Sequence, residues 1–423
     1  MKQASFQLGK EFSRAMDARD PLAEFRGRFC IPKTRTGEEC VYLCGHSLGL
    51  QPKSAASYVE QELRDWAEFG VEGHFNAKNP WVAYHRLLTR QTADLVGAEA
   101  PEVVVMNSLT VNLHLMMASF YRPSRQRHRI VIERGAFPSD QYAVKSQIRF
   151  HGFDPATSLI ELTAREGESC IRDADIADLI EREGESIKLI LLGGVNYATG
   201  QVFDMPEITE LGHKKGCVVA FDLAHAVGNV PLRLHDWGPD FAVWCSYKYL
   251  NGGPGCVGAC FVHARHAHGK EMPRLAGWWG HEEKVRFEMG PEFQAMVGAE
   301  GWQLSNPPIL ALAPLRASME IFSETGMERL RAKSVDLTNY MEFLLEQKGP
   351  RKFSVITPRE EQRRGAQLSI RLAEGREICD GLAANGVIGD WREPDTYRVA
   401  PVPLYNTYSE VFDFVEKFLA VLR

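Results

Sequence analysis

The feature that most restricts this chain is a series of short, uninterrupted apolar runs set between helix-like stretches. Val103-Val104-Val105-Met106, Arg129-Ile130-Val131-Ile132, Lys188 to Leu192, Cys217 to Phe221, Phe241 to Cys245 and Gly258 to Val262 all read as buried strands. A strand apolar on both faces has no solvent side, so such runs specify a mostly parallel sheet covered by helices. The intervening helix patterns run from Lys53 to Phe69 (stopped by Gly70), Val82 to Val96 (stopped by Gly97), Ser108 to Phe120 and onward from Ser139. From about Asn306 the texture changes. A long helical stretch runs from Pro308 towards Gly349, broken near Gly326, followed by strands at Phe353–Ile356 and Gln367–Ile370 and an amphipathic helix from Tyr408 to Leu422. The expected organisation is an N-terminal arm (1–45) belonging to neither core, a large α/β domain (46–305) and a smaller α+β domain (306–423).

Composition narrows the class of partner. A net charge of −6 gives no reason to expect nucleic acid or an anionic membrane. No apolar run approaches the roughly 18 residues of a membrane-spanning helix, and Lys10-Glu11 and Arg14 interrupt any leader-like start. The nine cysteines, an odd count without C-x-x-C pairs, fit reduced thiols in the cytoplasm. A small molecule is the expected partner.

The chemistry concentrates where strands end. Val218–Phe221 runs into Asp222-Leu223-Ala224-His225, and Phe241–Trp244 runs into Cys245-Ser246-Tyr247-Lys248. Ligands of open parallel sheets gather at the carboxyl ends of strands, so Asp222 and Lys248 should face one crevice. A lysine and a carboxylate there suit pyridoxal 5′-phosphate. The lysine forms the imine with its aldehyde, and the carboxylate keeps the pyridine nitrogen protonated. The phosphate needs a helix N-terminus, which Asn107-Ser108-Leu109-Thr110 offers after a strand. Phe137, in Gly135-Ala136-Phe137-Pro138-Ser139-Asp140, supplies a ring to stack on the pyridine. Taken singly, Asp222 reads as a turn or capping residue, Lys248 as a solvated strand end, Thr110 as a cap and Phe137 as core. Their order and common placement favour the cofactor.

Longer stretches add a family. Gly45-His46-Ser47-Leu48-Gly49-Leu50, Met106-Asn107-Ser108-Leu109-Thr110, Phe137-Pro138-Ser139-Asp140, Phe221-Asp222-Leu223-Ala224-His225, Trp244-Cys245-Ser246-Tyr247-Lys248, Gly277-Trp278-Trp279-Gly280-His281, Ser305-Asn306-Pro307-Pro308 and Arg398-Val399-Ala400-Pro401 resemble the kynureninases, across nearly the whole chain. The resemblance implies an aspartate-aminotransferase-like (fold type I) homodimer that hydrolyses the Cβ–Cγ bond of L-kynurenine or 3-hydroxy-L-kynurenine. The products are then an anthranilate and L-alanine, within tryptophan catabolism. It implies Lys248 as the imine-forming lysine, Asp222 as the pyridinium partner and Tyr247 as a contact of the cofactor phosphate, with a late proton donor or acceptor and a phosphate ligand only as equal alternatives for its role. Phe137, Asp140, His225, Leu109, Thr110, Trp278 and Asn306 are implied as cofactor contacts, some from the partner subunit. Arg398 is implied as the clamp on the substrate α-carboxylate. Ser47, His74 and Asn306 are implied to line the substrate site, His74 and Asn306 in the form that accepts a 3-hydroxyl. One position departs from the family pattern. Gly193 stands where Ser or Thr is usual, so a hydroxyl contact to the cofactor is missing or replaced by water.

The run His263-Ala264-Arg265-His266-Ala267-His268 shows no partnering carboxylate in sequence and reads as a solvated turn, not a metal site. A cysteine desulfurase would need a mobile nucleophilic cysteine, for which the late chain offers only Cys379. A nicotinamide dehydrogenase would need a G-x-G-x-x-G turn after an early strand, which is not present.

Overall fold

The computed structural model describes residues 6–266, 272–349, 352–372 and 375–422. A short strand, β1 (Val41–Tyr42), precedes the main sheet. That sheet comprises β2 (Val103–Val105), β3 (Arg129–Glu133), β4 (Leu159–Leu162), β5 (Ile187–Gly193), β6 (Val218–Asp222), β7 (Phe241–Trp244) and β8 (Ala259–Val262), in the order β2-β8-β7-β6-β5-β3-β4. Only β8 runs antiparallel to its neighbours. The apolar runs do what their composition dictates. Val105, Phe221 and Trp244 pack into one core while Val104, Ala220 and Val243 pack into a second on the opposite face. β4 was not among the runs read from sequence. It is an edge strand with Glu161 exposed in its middle, so its apolar signal is weak.

A second layer holds β9 (Phe353–Val355), β10 (Leu368–Leu372), β11 (Val387–Ile388), β12 (Asp390–Arg392) and β13 (Thr396–Val399). Four of these form an antiparallel sheet in the order β12-β13-β10-β9. The helices Met327–Lys348 and Tyr408–Val421 close a third core over it. The N-terminal segment from Lys10 to Tyr42 contributes to this layer through a helix and a strand. β1 pairs in parallel with β11, and the helix Lys10–Asp17 packs on the helix Tyr408–Val421. Asp17 accepts the Tyr408 and Ser409 N–H groups at 2.6 and 3.1 Å, capping that helix together with Thr407. Lys333 and Asp20 form a buried ion pair at 2.7 Å beside it. Sequence patterning alone carried no sign of this pairing, because β1 is two residues long. The helix Ile309–Thr325, read from sequence with the C-terminal part, packs mainly on the helix Ala55–Phe69.

Candidate active site at the carboxyl ends of the sheet

β3, β5 and β6 are adjacent, and their last residues, Glu133, Gly193 and Asp222, stand side by side. Lys248 follows the end of β7, the next strand over. These residues line one cleft with Leu109, Thr110, Phe137, Ser139, Asp140, Tyr197, His225 and Tyr247. The Lys248 Nζ lies 3.1 Å from His225 Nε2 and 5.8 Å from the centroids of the Phe137 and Tyr247 rings.

One wall is built from two helix starts. Asn107 takes a left-handed backbone (φ 50°), tolerable for asparagine, and turns the chain from β2 into the helix Leu109–Phe120. Asn112 holds that turn by donating to Met106 O at 2.8 Å and accepting from Asn107 at 3.0 Å. Ser108 makes no side-chain cap, so the first N–H groups of this helix are left for a ligand. Thr110 meets Ser139, in the first turn of the helix Pro138–Phe150, with their hydroxyls 2.8 Å apart. Two helix N-termini and two hydroxyls make a cup for an anion.

The floor is acidic. Asp222 accepts the Ala224 N–H at 2.7 Å and Glu133 accepts the Gly193 N–H at 3.0 Å. Burial raises the carboxyls of Asp222 and Asp140, each of which acts on the other, although Lys248 opposes the shift at Asp222. Burial also pushes Glu133 up to about 7. Burial, then the charges of Lys248 and Arg398, holds His225 far below the usual imidazole range, so this ring is neutral. Burial raises the Tyr247 phenol, which keeps its proton.

Arg398 and Ser47 stand beside the cleft rather than in its lining. The Arg398 guanidinium, on β13, donates to Tyr197 O at 2.6 Å, lies 3.3 Å from the Ser47 hydroxyl and pairs with Asp390. It lies 5.7 Å from the centroid of the Tyr197 ring, whose edge contacts Phe137 inside the cleft. His74, Trp278 and Asn306 are not brought to the cleft within one chain. His74 hydrogen-bonds Val71 O at 2.9 Å, Trp278 is 44% exposed, and Asn306 is also exposed.

Glu133, Ser139, Tyr197 and Asp390 escaped the sequence reading. Glu133 and Ser139 carried a usable signal, since one ends a strand and the other opens the next helix. Asp390 carried none, because only the second layer's folding brings it to Arg398. At Gly193 the space of the missing side chain is taken by the Glu133 carboxyl, 3.0 Å from where a Cβ would sit.

The described part of the histidine run is no solvated turn. His266 reaches the buried Asp240 at 2.7 Å and Ala264 N–H donates to the buried Glu102 at 2.8 Å, while residues 267 and 268 lie outside the described residues. Both carboxylates come from distant segments, which is why the run looked unpartnered.

Comparisons with known proteins decide the family. Residues 330–418 match the kynureninase C-terminal domain. The chain is 65% identical over 424 residues to a kynureninase of Koribacter versatilis, covering 100% of both chains. It is 56% identical to a kynureninase of Myxococcus xanthus, covering 97% of each. The chain belongs to the kynureninase family. It is therefore a pyridoxal 5′-phosphate enzyme that hydrolyses a carbon–carbon bond of a kynurenine-type amino acid. Among solved structures, the cysteine desulfurase CsdA of Escherichia coli superposes with a TM-score of 0.75 at 19% identity, covering 95% of this chain and 98% of that one. A cysteine desulfurase of Thermococcus onnurineus gives 0.72 at 16%, covering 98% of each. These confirm the fold expected from the sequence, an aspartate-aminotransferase-like α/β domain with a C-terminal domain.

The cleft fits a kynureninase cofactor. The His225 Nδ1 is buried without a hydrogen-bond partner, and the uncapped helix start at Leu109 awaits an anion. Buried Asp222 and half-buried Lys248 line the same space, the carboxylate suited to a pyridine nitrogen and the amine to an aldehyde.

Proposed function

We propose that this chain hydrolyses the Cβ–Cγ bond of L-kynurenine or 3-hydroxy-L-kynurenine, releasing anthranilate or 3-hydroxyanthranilate and L-alanine in the cytoplasmic catabolism of tryptophan. The observation that carries the reading is that Lys248 and Asp222 line one cleft, with Arg398 one ring away. Leu109 and Thr110 would hold the phosphate, Phe137 one face of the ring, Asp222 with Asp140 the pyridine nitrogen, and His225 the ring periphery. When bound, pyridoxal 5′-phosphate supplies an electron sink for negative charge developing at the substrate α-carbon. Lys248 Nζ moves the proton at that carbon. Asp222 holds a proton at the pyridine nitrogen. Arg398, steadied by Asp390 and Tyr197 O, orients the substrate α-carboxylate, with Ser47 beside it. Tyr247, whose phenol stays protonated, gives its proton late in the reaction.

The working form is a homodimer in this reading. His74, Trp278 and Asn306 serve the site from the partner subunit, His74 and Asn306 against the substrate ring and its 3-hydroxyl. What supports this is the exposure of Trp278 and Asn306 in one chain together with Phe75, Phe287 and Met289, which are 60%, 54% and 74% exposed. Phe75, Phe287 and Trp278 touch in series, forming an apolar face that a single chain leaves uncovered. Nine free cysteines support a reducing compartment. A desulfurase activity is disfavoured because Cys379 lies on the helix Arg376–Ala384, outside the cleft, with its thiol pushed up to about 12 by burial.

The test is the absorbance spectrum of the purified protein beside Lys248→Ala, then addition of each substrate with chromatography of the anthranilate. A visible cofactor band in the wild type that the variant alters, with anthranilate released, is expected. A band without product from either substrate would remove the substrate assignment. The faster substrate decides the roles of His74 and Asn306.

A further inference from the structure

Three carboxyl groups share the floor of the cleft. β5 lies between β3 and β6, and its last residue, Gly193, has no side chain. The Glu133 carboxyl uses that gap. It lies across the end of β5, accepts the Gly193 N–H at 3.0 Å and comes within 3.0 Å of the position a Cβ would occupy. It thereby lines the same cleft as Asp222 on β6 and Asp140 on the helix Pro138–Phe150. The groups facing this floor are Lys248, as the single cation of the cleft lining, and the neutral His225. Three buried carboxylates cannot all ionise against one cation, so protons must be held among them. Asp222 and Asp140 act on each other, and the pair favours the proton on Asp140. Glu133 forms no ion pair among the described residues; burial, and less strongly the charge of Asp222, disfavours its ionised form, while the Glu133 and Gly193 N–H groups and Asn196 favour it, leaving it at about 7.

We propose that Glu133 is a positioning residue of the cofactor cradle, working as a neutral acid that pins the end of β5 and leaves Asp222 as the anion facing the pyridine nitrogen. This rests on the assignment of Asp222 made above. A neutral group at 133 is then required and a negative one is not. Its deprotonation above neutral pH places a second charge beside Asp222 and changes how the nitrogen is held.

The test uses holoenzyme and its pyridoxal 5′-phosphate, with two readouts besides turnover: the cofactor dissociation constant and the visible band titrated from pH 6 to 9. Glu133→Gln, neutral and nearly isosteric, should keep the dissociation constant within about twofold at pH 6.5 and lose a spectral transition that the wild type shows near neutrality. Glu133→Ala removes the partner of the Gly193 N–H and should weaken cofactor binding about tenfold. Three results would overturn the proposal: Glu133→Gln binding as poorly as Glu133→Ala, superimposable wild-type and Glu133→Gln titrations, or an alanine variant that binds normally. Asp222→Asn separates this failure from failure of the site itself. If it binds and absorbs like the wild type, the assignment of Asp222 falls; if it does not, any failure belongs to Glu133 alone.

Discussion

The two ends of the main sheet handle buried acid in opposite ways. At the carboxyl ends, Glu133, Asp140 and Asp222 crowd together, and burial raises all three. At the opposite end, just before β7, Asp240 is as buried as Asp222 yet is held far below the usual carboxylate range. Burial opposes that shift, but His213 at 3.0 Å, His266 at 2.7 Å and Arg265 at 2.8 Å outweigh it, with the Val219 N–H at 2.8 Å. Glu102, on the same side, accepts from His235, Ala264 N–H and Glu99 N–H. A carboxylate that only stabilises is given its cations by the chain. One that works on a ligand is left short of them, so that the ligand supplies the charge.

Asp222→Asn should break the comparison at its most consequential point. Removing charge aimed at the reacting system costs on the order of 10²–10³ in activity. The melting temperature of the apoprotein should hold or rise at pH 8, because a buried carboxyl with a raised pKa loses stability as pH climbs through that pKa. Rate assays and calorimetry read the two effects separately. A large fall in melting temperature would show that Asp222 is structural, and the two ends alike.

Asp240→Asn is the converse. It leaves Arg265 and the imidazoles of His213 and His266 around a neutral amide. Breaking a fully buried pair costs about 3–5 kcal/mol, and here about 2–3 kcal/mol is expected, because His213 and Arg265 are a third exposed. The difference from wild type should be present at neutral pH and shrink on acidification. A depressed carboxyl contributes above its unfolded pKa of about 3.9 and loses that contribution as pH falls through the folded value. Denaturant unfolding at pH 7 and at about pH 3, below the unfolded pKa, checks this, with the cofactor spectrum of the folded protein at pH 7 unchanged.

The same contrast explains what the sequence made legible. Strand runs with two apolar faces announce the sheet, and residues just past their ends announce the cleft, so Asp222 and Lys248 were readable from local pattern. Glu133 ends a strand too, but its importance depends on Gly193 being bare on the neighbouring strand, a relation between segments sixty residues apart. Asp390 and Arg398 meet on β12 and β13, whose short, mixed composition gives no periodic signal. His74, Trp278 and Asn306 were recognised by resemblance, while a single chain shows only that His74 is half-buried and the other two are exposed. The histidine run looked unpartnered because Asp240 precedes it by more than twenty residues and Glu102 sits at the start of β2.

The smallest effect belongs to His235, at the solvent edge of the stabilising end. Its Nδ1 lies 3.0 Å from Glu102, and that hydrogen bond raises its pKa against a smaller opposing burial. A histidine with a raised folded pKa adds stability below its unfolded value of about 6.5, and that stability disappears as pH rises through the folded value. The side chain is 38% exposed, so solvent screens most of the interaction and about 0.5 kcal/mol or less is expected. His235→Gln should therefore cost more at pH 6 than at pH 8.5 in urea unfolding. It should leave the cofactor band untouched, because His235 does not line the cleft. Equal cost at both pH values would mean that a neutral imidazole satisfies Glu102 as well as a charged one. The pairing at this end would then owe its strength to Asp240 and the backbone donors alone.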